Sequence, residues 1–132
     1  MPGSDATHAE SRDIAVTAAR AAAAKQAGDV TILDVHGLIV ITDYFVIASG
    51  ETDRQVKTIV EEVERSVRDL GEKPVRREGD AESGWVLLDC IDVVVHVFAH
   101  EEREYYDLER LWRDAPRLGW NDSEQAAAGS LD

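Results

Sequence analysis

Hydrophobic positions along this chain fall into blocks with two different spacings. Ile14, Ala18, Ala21 and Ala22 recur at three and four residues, which predicts a helix over Ser11–Gly28 with Ser11 as its N-cap and Gly28 as its stop. Its apolar stripe is mostly alanine, so it must lie close to whatever it packs on. Val56, Ile59, Val60, Val63, Val67 and Leu70 repeat in the same way. Thr52 and Gln55 stand before that stripe in the T-x-x-Q spacing of a capping box, while Gly71 and Pro74 end it. A third helical stretch covers Glu101–Arg113, stopped before Pro116, with Tyr105, Leu108, Leu111 and Trp112 sharing one face as ordinary core packing.

Between these helices lie short runs rich in β-branched and aromatic residues: Val30–Val35, Tyr44–Ala48, Trp85–Asp89 and Val93–Ala99, with a weaker one at Pro74–Glu78. Leu38–Ile41 is apolar and suits an extension of either neighbouring strand, with Thr42-Asp43 as an interruption. Tyr44–Ala48, the helix after it and Pro74–Glu78 read as a crossover with parallel pairing. Cys90-Ile91-Asp92 reads as a hairpin turn. The order α-β-β-α-β-β-β-α predicts an α/β layer fold, a mixed sheet of about five strands with helices packed on it. Residues 1–10 and 116–132 are polar and small and read as tails. Residues 11–115 read as one domain, the size a 132-residue chain allows.

Charge sharpens the picture. The chain carries a formal −13, and from Glu78 to Asp114 there are eleven acidic residues against three arginines. Nucleic-acid affinity rests on Lys and Arg neutralising phosphates, so direct binding to nucleic acid is not expected. A basic protein surface is the natural counterpart. No apolar run approaches the roughly 20 residues of a membrane helix. The start, MPGSDATHAE, has neither region of a secretory signal, and the lone Cys90 fits a reducing compartment; a cytoplasmic location is expected.

Candidate chemistry is sparse. Asp89 and Asp92 stand at a strand end where paired carboxylates can hold Mg²⁺. Ser49-Gly50 precedes a helix, which together suggests nucleotide transfer. Such enzymes, however, need carboxylates alternating along one strand face, and a spacing of three through a turn favours local hydrogen bonding. Ser49-Gly50-Glu51-Thr52 has no Lys and sets an acid where a phosphate would lie. His96 is mid-strand, on the face shared with Val94 and Phe98, and His100 is about 13 Å further along an extended chain. No zinc site, cofactor site or catalytic set is predicted, and His96 reads first as a structural histidine. The aromatics of the last helix, set among carboxylates, fit a core and an interface equally well.

One long series of residues carries a resemblance. Asp43–Gly50, Arg54-Gln55-Val56, Glu78-Gly79, Gly84–Asp89, Asp92–Phe98 and the pattern Glu101-x-Arg103-x-Tyr105-Tyr106-x-Leu108-Glu109-x-Leu111-Trp112 are similar to the ribosomal silencing factor family, also called Iojap-related. The match covers about Ile14 to Trp112. The resemblance implies a nucleotidyltransferase-like fold without enzymatic activity. It implies binding to the large ribosomal subunit at protein L-fourteen, obstruction of small-subunit joining when nutrients are scarce, and a homodimer when free. Carried onto this chain, it points to a partner-binding patch of Trp85, Leu87, Asp89, Asp92, Val94, His96, Glu101, Tyr105 and Glu109. The other readings it leaves are a large-subunit assembly factor and a metal-dependent nucleotidyltransferase. Ile91 departs from the family, which usually has glycine there. Since a β-branched residue resists positive φ, a different turn is expected.

Overall fold

A computed structural model gives the fold of residues 10–120. The elements are α1 (Ser11–Ala24), β1 (Gly28–Asp34), β2 (Tyr44–Gly50), α2 (Asp53–Asp69), β3 (Arg76–Asp80), β4 (Trp85–Asp89), β5 (Val93–Ala99), α3 (His100–Tyr106) and α4 (Leu108–Leu111). The five strands form one mixed sheet in the order β1-β2-β5-β4-β3.

Strand position follows burial. β5 is the most apolar strand and takes the centre, parallel to β2 and antiparallel to β4. β3, RREGD, is exposed along its whole length. It lies at the edge, where charges discourage further pairing. The expected direct parallel pairing across α2 is therefore not made. β3 runs in the direction of β2 but pairs with β4, and the parallel partner of β2 is β5.

The two faces of the sheet are covered unequally. On one, α1 and α2 lay Ala15, Ala18, Ala22, Val56, Ile59, Val60, Val63 and Val67, all without exposed surface or nearly so, over Val93, Val95 and Val97. Each fully buried valine or isoleucine contributes roughly 1.5–3 kcal/mol. Thr52 accepts the Gln55 amide at 3.1 Å as the capping box predicts, but Gln55 Oε1 accepts the Glu51 amide at 2.7 Å instead of that of Thr52. Gln55 Nε2 also donates to the carbonyls of Lys25 and Gln26, tying the start of α2 to the end of α1.

Several local expectations are corrected. The residue before α1 is Glu10; Ser11 instead donates to Asp43 Oδ2 at 3.1 Å. α1 ends at Ala24, not Gly28. Gln26 takes the left-handed conformation (φ 66°), and the Ala27 and Gln26 amides donate to the Ala22 and Ala23 carbonyls, a Schellman closure. Gly28 belongs to β1, close against Ser49. Leu38–Ile41 extends no strand: Leu38, Val40 and Ile41 are exposed in the β1–β2 loop. The last helix is broken. Asp107 is left-handed (φ 48°), so α3 stops at Tyr106 and a single turn, α4, follows. Aspartate tolerates that conformation better than most residues. The break turns Tyr105 and Leu111 outward and leaves Tyr106, Leu108 and Trp112 against the sheet, so the expected single face does not form. Finally, residues 116–120, read as tail, cover the edge of β1: Asp34 N–H donates to the Pro116 carbonyl, Leu118 N–H to that of Ile32, and the Trp120 indole to that of Val30. The rest of that segment and residues 1–9 lie outside the described residues.

Candidate functional site

The second sheet face is only partly covered. α3, α4 and Ala115 shield Leu33, Val35, Ile47 and Phe98. Toward β4 and the start of β5 nothing lies over the sheet among the described residues. Register brings partly exposed Trp85, Leu87, Asp89 and Val94 together over buried Phe45, His96 and Phe98. Trp85 stands opposite Phe98, Leu87 opposite His96, Asp89 opposite Val94, and Phe45 on β2 beside Val94. Strand alternation sends all of them to one side.

Rings dominate the middle of this face. Trp85 packs against Phe98 (centroids 5.5 Å) and Tyr106 (5.0 Å), which are themselves 6.0 Å apart, and lies beside His96 (6.0 Å). Phe45 meets His96 edge to face at 5.2 Å. The indole Nε1–H of Trp85 donates to Nδ1 of His96 at 3.2 Å. An indole nitrogen only donates, so Nδ1 is the unprotonated nitrogen and the proton of the neutral ring sits on Nε2. That Nε2–H is buried and has no hydrogen-bond partner among the described residues. His96 is 6 % exposed, and burial pushes its pKa down to about 4, so it is neutral at pH 7. The structural histidine expected from sequence is thus partnered on one nitrogen only.

Two depressions flank the Trp85–His96 pair. The first, of about 380 Å³, is apolar inside and lined by Ile41, Phe45, Leu87, Ile91, Val94 and His96, with Arg76 and Asp89 at its edge. The second, of about 200 Å³, lies between β3 and α3 and is lined by Glu78, Gly79, Ser83, Trp85, Leu87 and Tyr106. Leu87 borders both. Gly79 makes the second possible: it has φ +79°, and a β-carbon there would lie 2.1 Å from the Trp85 carbonyl oxygen.

The nine residues singled out from sequence divide accordingly. Trp85, Leu87, Val94 and His96 come together as the floor of the open face, with Asp89 on its rim. Asp89 accepts the Ile91 amide at 2.8 Å and pairs with Arg76 at 3.5 Å. Asp92 is exposed beyond the turn, and its carbonyl takes the amides of Asp43 and Tyr44. Glu101 and Tyr105 are exposed on α3, the latter 81 % so. Glu109 faces inward to Arg103, with oxygens 2.8 and 3.2 Å from the guanidinium. Arg103 is 7 % exposed and also donates to the Gly28 carbonyl and Ser49 Oγ, binding the α3–α4 corner to β1 and β2.

Phe45, Ile41, Ile91 and Tyr106 complete the face and were not singled out. For Phe45 the missing signal was the β2–β5 pairing, and for Ile91 it was the direction its side chain takes in the β4–β5 turn. For Tyr106 it was the break at Asp107, since an unbroken helix favours Tyr105. Ile41 had one: an apolar residue in a loop with no stripe to join. Ile91 also overturns the expected change of turn. It holds φ 72°, so the left-handed turn is kept although the residue is β-branched. Among the described residues no three His, Cys, Asp or Glu side chains gather as a metal site, and no helix is long and apolar enough to cross a membrane.

The whole face lies within a region shared with other proteins. The family model described as "Ribosomal silencing factor during starvation" matches residues 8–131. The chain belongs to this family. The ribosomal silencing factor RsfS of Bacillus subtilis (strain 168) is 44% identical over 105 residues, 80% of this chain and 89% of that one. A crystal structure of a Chromobacterium violaceum protein superposes with a TM-score of 0.76 at 32% identity, covering 85% of this chain and 92% of that one. A mouse protein named mitochondrial assembly of ribosomal large subunit protein 1 is 32% identical over 91 residues, 67% of this chain and 40% of that one. Membership agrees with the mixed five-stranded sheet, and it sets the frame of a ribosome-associated silencing role for the family.

Proposed function

We propose that this ribosomal silencing factor represses translation by binding the large ribosomal subunit at protein L-fourteen and obstructing the joining of the small subunit when nutrients are limited. The observation that carries the reading is the uncovered face around Trp85: an aromatic and apolar surface ringed by carboxylates, in a chain of this family. Trp85, Leu87, Val94 and His96 supply its core, since buried aromatic anchors hold most of the binding energy of an interface. Asp89 on the rim and Glu101 on α3 steer a basic partner, and the exposed ring of Tyr105 adds contact surface. Asp92 and Glu109 act indirectly, one through the main chain of the turn and the other through Arg103. The action is exclusion, with no bond made or broken.

Co-sedimentation with isolated large subunits, small subunits and joined ribosomes tests it. Binding to large subunits alone, with less joining when small subunits are added, is the expected result. A Trp85→Ala variant keeps the fold and loses binding. Retention of wild-type binding by that variant, or binding to small subunits, refutes the reading.

The name of the mouse relative favours a second reading, in which the same face serves assembly of the large subunit. Subunit profiles from starved cells lacking the protein separate the two. Immature large particles mean assembly, and an excess of joined ribosomes means silencing.

A further inference from the structure

The two depressions on either side of Trp85 and His96 differ in chemistry. The larger presents branched aliphatic and aromatic surface from Ile41, Phe45, Leu87, Ile91 and Val94. The smaller presents two aromatic rings, a serine hydroxyl and one charged group, Glu78. Among the described residues nothing cationic lines the smaller one. Ring faces of tryptophan and tyrosine attract cations, and a carboxylate beside them adds to that preference. Glu78 is paired at 3.0 Å with Arg76, but both side chains are more than half exposed. An exposed pair of this kind contributes little, so Glu78 can exchange Arg76 for an incoming cation at small cost. The surrounding chain is also strongly acidic, with Asp80, Glu82, Glu101 and Glu102 close by in sequence to the strands and helix that form the pocket.

We infer that the face is a two-part recognition site, which seats a branched apolar side chain between Phe45, Ile91 and Val94 and, across the Leu87 ridge, a guanidinium or ammonium group against Trp85, Tyr106 and Glu78. The occupant is a segment of a basic protein carrying those two side chains next to each other. The inference deepens the proposed function, which identifies this face as the ribosome-binding one; the side-chain chemistry it assigns holds for any protein partner seated there.

The test uses the full chain, labelled with ¹⁵N at tryptophan and histidine, and the probe acetyl-isoleucyl-arginine amide. The control probe replaces arginine with citrulline, which keeps the shape and removes the charge. The expected result is a saturable shift of the Trp85 indole and His96 ring signals with the arginine probe. The citrulline probe binds about fivefold more weakly, in keeping with the loss of the cation. Glu78→Gln, at an exposed edge-strand position, narrows that gap. Ile41→Ser, in the exposed loop, weakens both probes alike. Equal affinity for the two probes, shifts confined to Trp112 or Trp120, or no shift at all overturns the inference. Failure of the parent reading looks different: the arginine probe shifts Trp85 while large subunits do not co-sediment. In the converse case, subunits bind and the probes are not distinguished, so the function stands and the two-part site falls.

Discussion

Protonating His96 is the sharpest perturbation this structure offers. Burial holds its pKa at about 4, against 6.5 for an exposed imidazole. Between those values the unfolded chain takes up a proton that the folded chain refuses. The stability tied to this residue is therefore whole above about pH 6.5 and is lost as pH falls toward 4. From pH 7 to pH 4.5 the loss amounts to about 2.5 kcal/mol. Carboxylates titrate in the same range, and there are 27 of them, so the wild-type curve alone does not isolate the histidine. The comparison is with His96→Leu, which has a similar volume and nothing to protonate. At pH 7 the two proteins should lie within about 1 kcal/mol: the variant removes an unmatched Nε2–H, while the half-exposed Trp85 indole loses its acceptor and turns to water. Urea unfolding at pH 7, 6, 5.5, 5 and 4.5 measures both. Whichever protein leads at pH 7, wild type is expected to be the less stable one at pH 4.5, having lost about 2.5 kcal/mol more than the variant over that range. Parallel curves refute the reasoning, because they mean that the ring is solvated or protonates in place. The same variant separates stability from function. Without the Nδ1 acceptor the indole is no longer held flat on Phe98, so large-subunit binding weakens although the fold at pH 7 does not.

Three further outcomes follow from single side chains. Ile91→Gly relieves a β-branched residue at φ 72° and should stabilise the fold by about 1 kcal/mol in urea unfolding, while weakening partner binding because Ile91 lines the open face. Arg103→Ala removes the guanidinium between Glu109, Gly28 and Ser49 and should cost about 2–3 kcal/mol, less than a fully buried pair because Glu109 reaches some solvent. Gly79→Ala puts a methyl group 2.1 Å from the Trp85 carbonyl oxygen. It should lower stability by about 2–4 kcal/mol and shift the Trp85 indole signal.

Local pattern was enough for the elements and for the sidedness of the central strand. The α2 stripe, the Thr52–Gln55 cap and the alternation of Val93, Val95 and Val97 against Val94, His96 and Phe98 all appear where spacing put them. Beyond the β4–β5 hairpin, which the Cys90-Ile91-Asp92 turn announced, pairing was not legible. That β2 lies beside β5, 45 or more residues apart, is written in no short window, and only the exposure of β3 forces it to the edge. The break at Asp107 was hidden for a related reason. Tyr105, Leu108, Leu111 and Trp112 fit one helix, yet the Arg103–Glu109 pair folds the chain back across it. Of the candidate patch, the family resemblance named Trp85, Leu87, Val94 and His96, and strand parity paired Trp85 with Leu87 and Val94 with His96 on their own strands. The residues that close it, Phe45, Ile41 and Ile91, needed the pairing and the loop path.

Why the Trp85 face stays open is best argued from where the structure departs from its own optimum. The α1 and α2 face is covered almost completely, by alanine, valine, isoleucine and leucine side chains with Cys90 among them. On the other face three costs coincide. Ile91 sits in a left-handed turn where glycine would be relaxed, Ile41 leaves 80 % of its surface in water, and the His96 Nε2–H is buried without an acceptor. Any one of them is removable by a single substitution that local packing would tolerate. Backbone strain, exposed apolar surface and an unmatched donor have separate physical origins, so stability gives no reason for them to gather within one groove. A bound partner relieves one of the three by covering Ile41. Ile91 is then the residue whose side chain widens the covered area, which is why relaxing its backbone with glycine is expected to raise stability and lower affinity in the same protein.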